Sequence, residues 1–174
     1  MTKRSARLLL CLTIAALAVP LLAQSQWKLY SFPADGFAVS APTEPVFSKQ
    51  NKATAIGNVE MHVYSVPLGK TGLVMISSSP IPKDNTPVKV RLQNAKEGAL
   101  QAGKAKLTSE KDIVLGTVPG IQFEAASDQF HVRARVFIVK DKLIQLLEMA
   151  PLSAPIPADA DRISNSFKLV SAAK

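Results

Sequence analysis

The sequence predicts an α+β fold in which a central, mostly antiparallel sheet is covered by helices. Four strand-like segments follow one another between residues 106 and 150, separated by short turns, as in an antiparallel meander. The stretch VFIVKDKLIQLL (136–147) is apolar on both strand faces, which indicates a sheet buried on both sides. A segment with helical periodicity precedes the meander, and a shorter one follows it.

The first 25 residues have the pattern of a secretory signal peptide. A basic start is followed by a continuous apolar run over residues 8–19, which is too short to span a bilayer comfortably. Small residues then favour cleavage after Ser25 or after Ala23. The pattern therefore predicts a cleaved segment 1–25, a single domain over 26–174 and a periplasmic or secreted location. An uncleaved membrane anchor is the alternative.

Removal of residues 1–25 changes the cysteine content and the net charge of the chain. The only cysteine, Cys11, lies in this segment, so the mature chain would have no disulfide, thiol nucleophile or thiolate metal site. Three of the 21 basic residues also lie there, which leaves 18 against 13 acidic residues, a formal net charge of +5 instead of +8. This mild charge does not indicate a nucleic-acid partner, and no transmembrane span is expected after cleavage.

The segments before the meander predict strands and tight turns. FAVSA (37–41) alternates as a strand and follows an Asp35-Gly36 turn. VEMHVYSV (59–66) and LVMISSS (73–79) are predicted to pair. The tripeptide at 69–71, Gly-Lys-Thr, resembles the end of a phosphate-binding loop but lacks the first glycine of that motif, so it is interpreted as a hairpin turn.

Two helices are predicted from their end signals. Thr86 before Pro87 is typical of a helix start, with the threonine as N-cap, and Gly103 is a plausible C-terminal cap. The closing segment DADRISNSFKLV predicts a short last helix, capped by Asp159 or Asp161.

The positions of the turns predict the register of the meander. Two-residue turns at 128–129 and 141–142 pair apolar side chains with apolar ones across the strands. They also place basic side chains across from acidic ones. The predicted polar pairs are Glu124–Arg133, Gln122–Arg135 and Glu148–Arg135.

One strand carries the candidate binding residues His131, Arg133 and Arg135, which alternate and so share a face. One interpretation is an anion-binding stripe for an acidic partner, glycan or lipid headgroup. The other is a structural ladder, because acidic and amide side chains are predicted on the neighbouring strands.

His62 and Glu60 share a strand face and are weak candidates for a metal site. A metal needs two or three convergent ligands, and His131 is the only other histidine, so a half-exposed strand histidine is the competing interpretation. No nucleophile elbow and no paired carboxylates appear, which predicts a protein that is not an enzyme and has no cofactor. An uncharacterised hydrolase is the third alternative.

Four segments together resemble PsbP-like domains. FPADGFAVSAPTEPVF is similar to the family's opening, IVLGTVPGIQFEA to its glycine–proline hairpin, VRARVFIVKDKLIQLLEMAP to its central strand pair and ADRISNSFKLV to its closing helix. The resemblance covers most of residues 27–170 and depends on the order and spacing of these pieces.

The resemblance implies an α/β/α sandwich with a central antiparallel sheet. Members of the family include an extrinsic photosystem II protein, a Ran-binding nuclear-transport factor and exported bacterial proteins, and most are binders or assembly factors. The expected function is therefore an exported, non-catalytic binding or accessory protein of the cell envelope, whose partner is another envelope or secreted protein. A periplasmic protein that binds a small ligand or a divalent metal is the alternative.

Overall fold

Ten strands and two helices make up the part of the chain that the computed structural model describes, residues 27–54 and 57–170. In chain order they are β1 (Lys28–Phe32), β2 (Phe37–Ala41), β3 (Val46–Thr54), β4 (Gly57–Pro67), β5 (Leu73–Pro80), α1 (Val88–Gly103), β6 (Lys106–Leu115), β7 (Val118–Ala126), β8 (Phe130–Val139), β9 (Lys142–Pro151), α2 (Ala158–Ser166) and β10 (Lys168–Leu169). The predicted signal segment lies outside the described residues. Neither helix is long and apolar enough to cross a membrane.

Seven strands form the main sheet, in the order β3-β4-β5-β9-β8-β7-β6. Every pairing in it is antiparallel, and two meanders meet where β5 pairs with β9. The predicted four-strand meander and the predicted pairing of the 59–66 and 73–79 segments are confirmed. The predicted α+β class with a mostly antiparallel sheet is also confirmed.

A second sheet has three strands in the order β1-β2-β10. Its central strand is buried except at Ser40, because its neighbours pair on both sides and α2 packs against it. The predicted Asp35-Gly36 turn leads into this strand, and Gly36 adopts a φ of 81°, which favours glycine.

The two faces of the main sheet bury different clusters, because side chains alternate along each strand. The α2 face carries Ile76, Phe137 and Ile144, which pack with β2 and α2 of the covering layer. The α1 face carries Phe123 and Val136, which pack with α1. On the α1 face the helix packs against β7 and β8. On the other face, α2 and β2 of the three-stranded sheet share one apolar cluster with the main sheet.

The register of β7 and β8 agrees with the prediction, and that of β8 and β9 differs by two residues. Val139 pairs with Lys142, so the turn is Lys140-Asp141 instead of 141–142, and Lys140 adopts a φ of 58°. Glu148 consequently lies opposite Arg133 and not Arg135. Lys142 stays in the strand, where its ammonium group contacts the β1–β2 turn.

The predicted helix caps are corrected in detail. Pro87 is the N-cap of α1, and it makes no side-chain capping bond because proline has no side-chain acceptor. Thr86, the predicted cap, lies in the preceding turn, where its N–H donates to Asp84 Oδ1 (2.8 Å). Lys104, in the left-handed conformation, ends α1 in place of Gly103. The N-cap of α2 is Pro157. The two predicted aspartate caps lie in the first turn of the helix, where their negative charges interact favourably with the positive end of the helix dipole.

Candidate functional site

The first candidate residues, His131, Arg133 and Arg135, share the α2 face of β8, as predicted. Arg133 donates through Nε to Glu148 Oε2 (2.9 Å), and its Nη2 donates both to the same oxygen and to Asp161 of α2. Burial alone would lower the pKa of Arg133, but the two carboxylates outweigh burial and raise it. Arg133 is therefore a permanent cation that links the sheet to α2.

The neighbours of Arg133 on the same face also contact the segment around α2. Arg135 donates to the carbonyl of Ser164 (3.1 Å) and to Asn165 Oδ1 (3.2 Å). His131 Nε2 lies 2.6 Å from the carbonyl oxygen of Ala154, to which it can donate. All three predicted residues thus anchor this segment, and binding of an anion by them stays a prediction.

A second polar cluster surrounds Asp35, whose side chain leaves the β1–β2 turn and is only 5% exposed. His62 Nδ1 lies 2.9 and 3.0 Å from the two carboxylate oxygens, and the hydroxyl of Tyr64 donates to Oδ2 at 2.5 Å. The other ring nitrogen of His62 lies 3.1 Å from Glu60 Oε1. Carboxylates on both sides of the ring favour the imidazolium, which can donate from both nitrogens.

The electrostatics of this cluster follow from those contacts. The hydrogen bond to Asp35 raises the pKa of His62 above its ordinary value, although burial opposes the rise. Burial would raise the pKa of Asp35, but hydrogen bonds from Tyr64 and His62 outweigh it and lower that pKa. Burial, together with the bond to Asp35, raises the pKa of Tyr64. The cluster is thus an ion pair that joins the small sheet to the main sheet.

The cluster contains the predicted metal candidates, His62 and Glu60. Glu60 Oε1 also accepts from Lys49 Nζ at 2.9 Å, and Asp35 lies on the opposite side of the imidazole ring. Within residues 27–54 and 57–170, no group of three or more His, Cys, Asp or Glu is placed to hold one metal ion. Metal binding by the pair stays a prediction. The hydrolase alternative would require a serine bonded to a histidine. Ser78 lies opposite His62 in the β4–β5 pairing, but Nε2 of the ring contacts Glu60 instead.

A third site, which the sequence did not predict, is a groove on the other face of the main sheet. We call it the α1 groove; its cavity measures about 640 Å³. Its floor includes Val59 and Met61 of β4 and Leu143 of β9, and one wall is the face of α1 that carries Ala95 and Gly98. A Cβ added at Gly98 would meet no atom within 4 Å, so the helix leaves open space there.

The groove exists because α1 lies toward one side of the sheet. The helix packs on β7 and β8, and Lys96 of α1 forms an ion pair with Glu110 of the edge strand β6. The strands β4, β5 and β9 therefore carry no helix directly over their α1 face. Small residues line both sides of this space, such as Ser79 on the sheet and Ala99 on α1, so the space between sheet and helix stays open.

The second wall of the groove is the segment 80–86, which Arg91 of α1 holds in place. Arg91 donates to the carbonyls of Pro82 (2.7 Å), Asp84 (2.8 Å) and Thr86 (3.0 Å) and to the carboxylate of Asp84 (2.5 Å). Hydrogen bonds from Thr86, together with Arg91, lower the pKa of Asp84. Four bonds from one guanidinium make this wall a preformed part of the fold.

Solved structures provide the comparison for this fold. The solution structure of cyanobacterial PsbP (CyanoP) from Synechocystis sp. PCC 6803 matches with a TM-score of 0.59 at 16% identity, covering 83% of this chain and 92% of that chain. A crystal structure from Bacteroides thetaiotaomicron VPI-5482 matches with a TM-score of 0.44 at 13% identity, covering 84% of this chain and 49% of that one. No protein-family model and no curated protein matches the sequence. The described chain has the PsbP-like fold, so the resemblance seen in its motifs is confirmed at the level of the fold.

Proposed function

We propose that the chain is an exported, non-catalytic binding protein with an accessory role in the cell envelope, and that it binds in the α1 groove. The observation that carries the proposal is the groove itself. A concave surface of about 640 Å³ with an apolar floor and a few polar groups has the size and lining of a ligand site. The signal-peptide pattern supports export, and the PsbP-like fold supports an accessory role by analogy.

The occupant proposed here is an apolar small molecule or an apolar segment of an envelope or secreted protein. The stripe of His131, Arg133 and Arg135 is less suited to capture a partner, because each of the three side chains already contacts Glu148 or the α2 segment. In the proposed arrangement the domain is an α/β/α sandwich, with α1 as one outer layer and α2 beside the small sheet as the other.

A pair of substitutions at Gly98 tests the proposed function. Gly98→Leu would place a side chain in the open space of the groove, whereas Gly98→Ala keeps most of that space and serves as the matched control. Both remove a glycine from a helix interior, so each should keep or raise the stability of α1. After incubation with envelope extract, native mass spectrometry should find a bound component on wild type and on Gly98→Ala, but not on Gly98→Leu. Equal binding by both variants would refute the groove as the binding surface.

A divalent-metal site at His62 and Glu60 is the second candidate. The side chain of His62 is 28% exposed and that of Glu60 is 49% exposed, so both could turn toward an ion. Thermal melts with divalent ions test this directly, because a metal that binds the native state must raise the midpoint. The rise should disappear in Glu60→Gln.

A further inference from the structure

The charges along the α1 groove are unevenly balanced. Its lining includes three charged residues, Lys52, Asp84 and Arg91. Asp84 and Arg91 neutralise each other through a 2.5 Å ion pair in the wall. Lys52 forms no ion pair with another described residue. The groove therefore combines an apolar floor with one uncompensated positive charge.

Lys52 lies at the outer edge of this floor. It belongs to the edge strand β3 and is paired with Val59 of β4, so the two side chains share the α1 face. Both line the groove, and the lysine is exposed. A molecule lying on the floor can thus place one end in contact with the ammonium group while its body covers Val59 and Met61.

The ends of the described chain lie across the sheet from this surface. Trp27 stacks under Arg162 of α2, with the guanidinium carbon 3.9 Å from the ring centroid. The N–H of Val170 donates to the carbonyl of Gly36 in the small sheet. Both ends of the described chain are therefore on the α2 side of the main sheet, opposite the α1 groove.

We propose that the α1 groove binds a single-chain aliphatic carboxylate, with its hydrocarbon chain along the floor and its carboxylate at Lys52. This inference rests on the proposed function and names the ligand class of the same groove. Apolar contact area would supply most of the affinity: each additional methylene that becomes fully buried should tighten binding up to about fourfold. The carboxylate would add selectivity, since an exposed ion pair corresponds to about two- to fivefold in affinity.

The test uses amphiphiles of equal chain length below their micellar concentrations. Isothermal titration calorimetry would compare decanoate, decanol and decyltrimethylammonium, with octanoate as the shorter homologue. Wild type should bind decanoate about two- to fivefold more tightly than decanol, and the cation should bind most weakly. The preference for decanoate should fall with added salt, because exposed charges are screened.

Three variants assign the contacts. Lys52→Gln should reduce decanoate binding to the level of decanol and leave decanol unchanged, since the lysine is exposed and its loss should not disturb the fold. Lys111→Gln on β6, a charge-matched change at an exposed lysine outside the groove, should keep the preference. Gly98→Leu should lose binding of both molecules.

Equal affinity of wild type for decanoate and decanol, or an unchanged preference in Lys52→Gln, would overturn the inference. Failure of every amphiphile to bind would also overturn it, while capture from envelope extract that Gly98→Leu abolishes would still support the proposed function. A second copy of the chain as occupant would appear as a concentration-dependent dimer that Gly98→Leu dissociates and decanoate does not affect, and this result too would overturn the inference.

Discussion

The ion pair between Arg133 and Glu148 allows a quantitative prediction about the join between the main sheet and α2. The carboxylate of Glu148 is 1% exposed, and the side chain of Arg133 is 19% exposed. Arg133→Met removes the cation and leaves the carboxylate buried without a counter-charge. We expect this single change to lower the free energy of unfolding by about 3–5 kcal/mol, the usual cost of breaking a buried pair from one side. That is a large part of the total stability of a typical domain.

Removing both partners should cost much less than removing the arginine alone. In Arg133→Met/Glu148→Leu no buried charge is left, and apolar replacements of buried pairs are often neutral. Asp161, the other partner of Arg133, is half-exposed and can be hydrated instead. Urea titrations of the wild type, both single variants and the double variant should therefore give a coupling energy of at least about 2 kcal/mol.

Arg135→Met is the matched control on the same strand face. Its partners are the carbonyl of Ser164 and the amide of Asn165, so its loss leaves no charge buried and should cost about 1–2 kcal/mol. The reasoning is refuted if Arg133→Met costs no more than this control. It is also refuted if the Arg133 and Glu148 changes add within about 0.5 kcal/mol.

Three further predictions concern the other contacts of the fold. Tyr64→Phe removes the donor to Asp35 and keeps the aromatic ring, so urea titration should show a loss of about 1.5–3 kcal/mol; a loss below about 0.5 kcal/mol would contradict the role of that bond. The stabilisation from protonated His62 is complete below its ordinary pKa of about 6.5 and is lost as pH rises through its raised pKa, so stability should fall over that range. His62→Gln should flatten this profile, and an unchanged profile would rule out the histidine as its origin. Gly120→Ala should lower the calorimetric Tm by an amount that corresponds to about 1–3 kcal/mol of stability. The reason is that a Cβ would lie 2.5 Å from the ring of Phe137 and 2.6 Å from a backbone carbonyl. An unchanged Tm would show that β7 can shift to accommodate the methyl group.

The parts of the fold that the sequence predicts well are those set by local alternation. The β7–β8 register was predicted because a short turn and a two-residue period together fix which side chains oppose each other. The β8–β9 register was wrong because a shift of two residues leaves every side chain on its original face. The pattern therefore cannot distinguish an arginine at 133 from one at 135 as the partner of Glu148. Strands β1, β3 and β10 were missed because two are short and β3 is a polar edge strand.

The sites depend on contacts between distant segments, which no local pattern encodes. Asp35 was interpreted only as a turn residue, although its carboxylate reaches His62, 27 positions later. The positive charges of Arg133 and Arg135 were predicted to be neutralised by side chains of the neighbouring strands. In the structure α2 supplies part of the negative charge, through Asp161. The α1 groove depends on where the helix lies across the sheet, and the glycine at 98 was the only local signal of the open space beside it.

The position of β10 has a consequence for how the molecule reaches its final state. β2 lies between β1 and β10, and the backbone N–H of Ser40 donates to the hydroxyl of Ser166 across 126 residues of sequence. During vectorial synthesis, the first hairpin cannot acquire these partners until residues 166–169 have emerged. Formation of such distant contacts is slow, because the entropy of closing the loop is lost before they form. The three-stranded sheet should therefore be completed late in folding, after α2 and β10 have formed.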